Sequence, residues 1–420
     1  MSAKQNSPPG GDKCAKCGAC TAVCPVYQVT GRESFTARGR LHLLNRLPRL
    51  TTRAYGTILS ACLLCGACRD VCPRKIDTIS LLIAAREQLP RPAQHRYLEK
   101  LAARKTLTSP LLLTGLGKLR QKLLNHLPGA SGLWMKLDLL AEDFSPPPSP
   151  AAFPTGDTNA SPPLLNYFSG CLARYISPEI GAATAFLARR ATGAPLPMPE
   201  AQTCCGLASY ASGNREEARE LARKNITAFS SNTLPILTSC ASCYTQLRSY
   251  PWLLADDPGF AKAAQDFSAR VREFSSFFLQ SRLTLPAGPA GAPTGADPRI
   301  FYHDPCHLRF GAEKIISQPR QLLRGMTGHP PLELAGGSRC CGQGGLFHLA
   351  HPVQAKQIFA MAMTEFLELS ASVAVTTCSG CLLQWQQGLR HAGLPGRACH
   401  LAVLLAGIMQ RRAEIGQTGN

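Results

Sequence analysis

CAKCGACTAVCP, residues 14–25, is followed 48 residues further on by CLLCGACRDVCP, residues 62–73. Both stretches read C-x2-C-x2-C-x3-C-P, through Cys14, Cys17, Cys20 and Cys24 before Pro25, and Cys62, Cys65, Cys68 and Cys72 before Pro73. Three cysteines at this spacing wrap a short loop around one cube of iron and sulfide. In two-cluster arrangements the fourth, before the proline, reaches the other cube. The expected ligand sets are therefore crossed: Cys14, Cys17, Cys20 and Cys72 for one 4Fe–4S cluster, and Cys62, Cys65, Cys68 and Cys24 for the other. A zinc ribbon needs only pairs of cysteines, and two full quartets exceed that need. Gly18, Ala19, Gly66 and Ala67 supply small residues where backbone amides must approach sulfide.

Ten more cysteines form two sets of five. The first is Cys171, Cys204-Cys205-Gly206, Cys240 and Cys243; the second is Cys306, Cys340-Cys341-Gly342, Cys378 and Cys381. The offsets between them are 135, 136 and 138 residues, the mark of a duplicated domain. Five thiols are one more than a cube requires. Adjacent cysteines suit different irons, or one bridging thiolate, in an open or distorted cluster; an ordinary cube with a spare thiol and a metal-free redox pair are the alternatives. All eighteen grouped cysteines are candidate metal ligands. His303 and His307 flank Cys306 and could ligate or tune a cluster, although such histidines are more often packed and hydrogen-bonded. Cys399 stands alone and reads as a buried apolar residue.

The 420 residues are 45% hydrophobic and 17% charged, values of a folded protein. The first residues, MSAKQNSPPGGDK, contain no apolar signal segment, so a cytoplasmic, reducing location is expected, where ligation outweighs disulfides. The longest strongly apolar stretch, Leu401 to Met409, is far short of the ~20 residues of a spanning helix. The net charge of +19 is concentrated between Arg86 and Lys136, where ten Lys or Arg face Glu87 and Glu99. With leucines interspersed, this segment reads as basic amphipathic helix, either a solvated face or a surface for an anionic membrane or an acidic subunit. No nucleic-acid module accompanies the charge, so no nucleic-acid partner is expected.

Pro-rich stretches at 145–163 and 285–298 act as linkers. They give a two-cluster domain at 1–90, a basic helical region at 91–144, and cysteine-rich domains at 164–284 and 299–412. Strands are expected at 164–168, 234–238, 300–302 and 373–377, and helices at 180–190, 215–229, around Leu322 and at 352–369. Cys171, Cys240, Cys306 and Cys378 fall at strand ends, where open α/β sheets bind ligands. The fold class is mixed: an α-helical ferredoxin-type domain followed by two duplicated α/β domains. No dinucleotide fingerprint is present, so no flavin is expected on this chain.

The sequence C-G-A-C-T-A-V-C-P-V-Y-Q at Cys17 to Gln28, R-G-R at Arg38 to Arg40, the second quartet and the two C-C-G sets together resemble the iron–sulfur subunits of glycolate oxidase, a family that also serves D-lactate dehydrogenases. The resemblance covers the whole chain. It implies an electron-transfer subunit that accepts electrons from an FAD-binding dehydrogenase subunit acting on a 2-hydroxy acid. Delivery would be to a quinone or other membrane acceptor, with peripheral attachment to the inner face of the membrane. It implies no catalytic residues and no activity for this chain alone. It also implies two 4Fe–4S clusters in the N-terminal domain and one or two further, non-cubane clusters in the cysteine-rich domains. The same layout occurs in anaerobic glycerol-3-phosphate dehydrogenase subunits. The C-C-G domain is shared with heterodisulfide reductase, so a thiol–disulfide oxidoreductase is the alternative.

Overall fold

A computed structural model describes residues 14–46, 51–109, 161–281, 299–333, 337–394 and 396–418. Each cysteine-rich half is built on a three-stranded parallel sheet: β1 (Asn166–Phe168), β2 (Ile236–Thr238) and β3 (Val271–Glu273), then β4 (Ile300–Tyr302), β5 (Val373–Thr376) and β6 (Arg397–His400), each in sequence order. Asn166 pairs with Ile236 and Phe301 with Ala374, so the two sheets share one register. β1, β2, β4 and β5 are buried throughout, as their apolar runs predict. β3 and β6 are additions to the sequence reading. Each lies at a sheet edge and includes an arginine, Arg272 or Arg397, beside polar Glu273 or His400, so hydropathy does not mark it.

The helices follow their start signals. Asn214 accepts a hydrogen bond from the Glu217 amide at 3.4 Å and opens the helix Arg215–Ala228; Pro352 occupies the first turn of Pro352–Glu368. The helices Pro178–Thr192 and Ser317–Thr327 complete the expected set. One hydrophobic core joins the halves, drawing Phe186, Leu187, Leu237 and Phe278 from the first and Tyr302, Leu322, Val375 and Leu405 from the second. In the second half Trp385 has no exposed surface and packs its ring against Phe301, Phe359 and Phe366.

The N-terminal block is helical, with Ala37–Arg46, Arg53–Ser60, Thr78–Glu87 and Tyr97–Thr108 around two cysteine loops. It is pinned to both halves that follow. Arg69 donates to the Phe310 carbonyl at 2.7 Å and Lys314 pairs with Asp70 at 2.6 Å; Arg104 pairs with Glu217 at 2.9 Å.

That last contact turns two residues of the basic segment inward, while Arg91, Arg96 and Lys105 stay exposed. Arg86 and Arg104 are 8% and 3% exposed and point into the protein, not onto a solvated or docking face. Arg104 pairs with the Glu217 carboxylate and Arg86 donates to backbone carbonyls, so both guanidiniums have partners inside the protein. From residue 110 onward the segment lies outside the described residues, as do most of the two linkers. Among the described residues no helix is long and apolar enough to cross a membrane.

Replacing the fully buried Trp385 with alanine is expected to cost about 3–5 kcal/mol, since a large aromatic leaves a cavity that its neighbours only partly fill. A lower denaturation midpoint of the iron-loaded chain reads this out; an unchanged midpoint contradicts the packing described.

Candidate metal centres

The two N-terminal loops have the same backbone. Lys16 and Leu64 take φ of 56° and 55°, and Gly18 and Gly66 take 82° and 87°. Left-handed geometry at a lysine and a leucine costs about 1–2 kcal/mol each, and it persists only where the surroundings impose it. A loop closing around a central group is such a surrounding. The glycines accept the conformation freely and lead into one-turn helices, Ala19–Ala22 and Ala67–Asp70.

The loops border two small cavities of nearly equal size. Cys62, Cys65 and Cys68 line the larger together with Cys24; Cys14, Cys17 and Cys20 line the other together with Cys72. Cys68 borders both. Each cavity thus collects three thiols from one run and the Cys-Pro thiol of the other.

The R-G-R element is structural. Arg38 reaches the Lys16 carbonyl at 3.0 Å while pairing with Glu33, so it braces the first cysteine loop. Gly39 lets its helix press onto the chain below: a Cβ there would sit 2.2 Å from the Glu33 carbonyl oxygen. Arg40, 1% exposed, borders the larger cavity and donates to the Ile58 and Ala61 carbonyls at 2.9 and 2.6 Å. Arg86 donates to the Leu59, Ser60, Cys62 and Ala211 carbonyls. Among the described residues neither guanidinium has a carboxylate partner. Arg40 at that cavity and Arg86 on the Cys62 carbonyl are buried cations that call for net negative charge nearby, which thiolates around an iron–sulfur core supply.

In the cysteine-rich halves the thiols lie against one another. Cys171 and Cys204 are 3.7 Å apart, and contacts continue through Cys205 and Cys243 to Cys240. In the second half Cys378, Cys381 and Cys341 form the equivalent run. The halves meet near Cys240 and Cys378, where the Ala241 amide donates to the Thr377 carbonyl at 2.8 Å and Ser242 Oγ lies 3.2 Å from Cys378 Sγ. Gly170 marks how tight the first site is: a Cβ there would come within 2.8 Å of the Cys243 sulfur. Cys340 packs with Cys24 and Cys65, tying the second half to the larger N-terminal cavity.

Electrostatics agree with metal ligation. Burial, then the nearby Cys340, pushes the Cys65 thiol up; burial likewise raises Cys68 and Cys306. Thiols packed this way cannot all ionise by themselves, and cationic iron removes both the repulsion and the desolvation penalty. The donor sets therefore fit iron–sulfur clusters. Sequence reasoning named these cysteines but missed Arg86 as a neighbour of the site, because an isolated arginine carries no signal of burial. His307 behaves as expected of a packed histidine, with Nδ1 2.9 Å from Ser242 Oγ.

Two helix-braced thiol cavities followed by two duplicated five-thiol sites define a multi-centre iron–sulfur protein. Residues 10–76 match the 4Fe-4S dicluster domain, and residues 165–248 and 300–386 match the cysteine-rich CCG domain. A probable glycolate oxidase iron–sulfur subunit of Bacillus subtilis is 29% identical over 93% of this chain and 92% of its own length. Lactate utilization protein A is 30% identical in Exiguobacterium, over 59% of this chain and 99% of that protein, and 30% in Geobacillus kaustophilus, over 57% and 98%. The chain belongs to this family of glycolate oxidase and lactate utilization iron–sulfur proteins, which implies electron transfer as its role.

Substituting Arg86→Met deprives four backbone carbonyls of a charged donor, each such bond contributing about 1.5–3 kcal/mol. The variant is expected to be less stable and to retain less iron than the wild type. Thermal melts with iron analysis check this, and a variant equal to wild type in both refutes the assigned role.

Proposed function

We propose that this chain is the electron-transfer subunit of a flavin-dependent 2-hydroxy-acid dehydrogenase, of glycolate or D-lactate type. It receives electrons from an FAD-binding subunit and passes them to a quinone-linked acceptor at the membrane. The observation that carries this reading is the continuity of the cysteine sites. The Cys14/Cys17/Cys20/Cys72 cavity shares Cys68 with its neighbour, the neighbour meets Cys340, and the halves meet near Cys240 and Cys378. Iron–sulfur clusters supply one-electron transfer when bound. The chain's own residues gather the thiols into neighbouring sites, bury seven of the eighteen, all in the cysteine-rich halves, and leave Cys17 exposed. Cofactor chemistry for hydride removal belongs to another subunit, since this chain carries no dinucleotide fingerprint. The excess of basic residues suits an anionic membrane surface or an acidic partner.

The purified, iron-loaded chain is expected to oxidise neither glycolate nor D-lactate with an artificial dye, and to gain such activity only with its flavoprotein partner. Its iron and acid-labile sulfide should reach about eight of each for the N-terminal domain and up to about sixteen with both cysteine-rich sites filled. Substantial turnover by the chain alone defeats the relay reading, and zinc without sulfide defeats the cluster reading.

Within this reading the ligands are crossed, Cys72 with Cys14, Cys17 and Cys20, and Cys24 with Cys62, Cys65 and Cys68. The five-thiol sets take open, non-cubane clusters. Cys72→Ala should then perturb the cluster at Cys14, Cys17 and Cys20 while sparing the EPR signal of the other cube. The reverse pattern shows that each run closes on its own cube.

A further inference from the structure

The duplicated halves correspond residue by residue at their strand ends, which exposes one difference between the two sites. Tyr167 bonds Ser239 Oγ at 2.7 Å, and Tyr302, 135 residues on, bonds Thr377 Oγ1 at 2.9 Å. The next residue is Phe168 in the first half and His303 in the second. Phe168 is fully buried against Phe229. His303 is 1% exposed, and its ring lies edge-on to Trp385 at 5.7 Å between centroids.

His303 is placed unlike an ordinary packed histidine. Its Nδ1 is buried without a hydrogen-bond partner. A ring nitrogen, the Cys341 sulfur and the Cys381 sulfur all lie within 4.8 Å of one another. A buried polar atom with no partner is costly and uncommon in native proteins, and the same ring lies beside the Cys341 thiol. His307, the other imidazole beside Cys306, already has Ser242 as partner. Imidazole nitrogen is an accepted ligand for iron alongside thiolate.

We propose that His303 is a sixth ligand of the second cysteine-rich site, giving one iron there mixed nitrogen and thiolate coordination that the first site, with Phe168 in the same place, does not have. The proposal rests on the iron–sulfur reading above. A neutral nitrogen donor adds no negative charge, and histidine ligation in iron–sulfur centres raises the reduction potential. The duplicated sites therefore differ in potential, the second above the first, although their cysteines are equivalent.

The test is pulsed EPR on the full-length reconstituted chain, with natural-abundance and with 15N-labelled histidine. The wild type is expected to show a strong nitrogen coupling that changes on histidine labelling, which separates it from backbone amides. His303→Phe, which restores the residue of the first half, should abolish that coupling. It should also lower the potential of the second site by at least tenfold in the one-electron equilibrium, about 59 mV, leaving the other centres in place. If the variant does not fold, the labelling experiment on the wild type still decides. A chain with its full iron and sulfide that shows no coupling from labelled histidine overturns the proposal. A coupling that survives His303→Phe, or that disappears in His307→Phe instead, overturns it as well. A chain that binds no iron overturns the iron–sulfur reading itself, and this inference with it.

Discussion

Mutual repulsion among crowded thiols is the constraint around which this chain is organised. Residues as distant as Cys24 and Cys340 pack against one apolar cluster, and within one half the Cys171 and Cys204 sulfurs approach to 3.7 Å. Burial raises the cost of ionising each thiol, and every ionised neighbour raises it again. These thiols can all ionise together only with cationic metal between the sulfurs, which would couple cluster binding to their charge state. The left-handed backbone at Lys16 and Leu64 and the buried arginines Arg40 and Arg86 are further costs of the same kind. Each makes sense when a compact anionic group occupies the space the loops enclose.

The scaffold solves the positioning problem by placing cysteines where backbone direction is already fixed. Cys240 and Cys378 follow β2 and β5 directly, each as the residue before a helix, Ala241–Arg248 and Ser379–His391. Parallel strands covered by helices present such ends at one edge, the usual binding edge of open α/β sheets. Because the halves share one register, their thiol sets come out in equivalent places and meet at the junction between the halves. The helical block then needs only a few polar pins, such as Lys314 to Asp70 and Arg69 to the Phe310 carbonyl, to bring its own cavities into line.

Much of this was legible in the sequence, because ligand spacing is a local property. The two C-x2-C-x2-C-x3-C-P runs, the duplicated five-cysteine sets, four of the six strands and the Asn214 cap are each set by a short stretch. What was hidden depends on distant partners. Arg86 reads as one more charge in a basic segment, and only the carbonyls of Leu59, Ser60, Cys62 and Ala211 reveal it as an internal donor. β3 and β6 are edge strands with charged residues, so neither alternation nor apolar run marks them. The order of the sites in space was equally hidden, since Phe310, Lys314 and Asp70 belong to no motif.

Duplication also explains why one residue can matter among so many thiols. Two identical sites in contact would have matched potentials, and electrons would have no preference between them. The terminal donor and acceptor set the net direction of a relay, but a difference between its sites biases where an electron rests while the cysteines stay fixed. The position after the equivalent tyrosines Tyr167 and Tyr302 is suited to that task. It continues the strand, with the His303 amide donating to the Val375 carbonyl at 2.8 Å, so its side chain projects from rigid backbone at the edge of the site. Phenylalanine there offers only apolar surface, whereas histidine offers a nitrogen lone pair in the same volume. A single substitution after duplication is therefore enough to separate the two sites chemically without moving any of their ten cysteines.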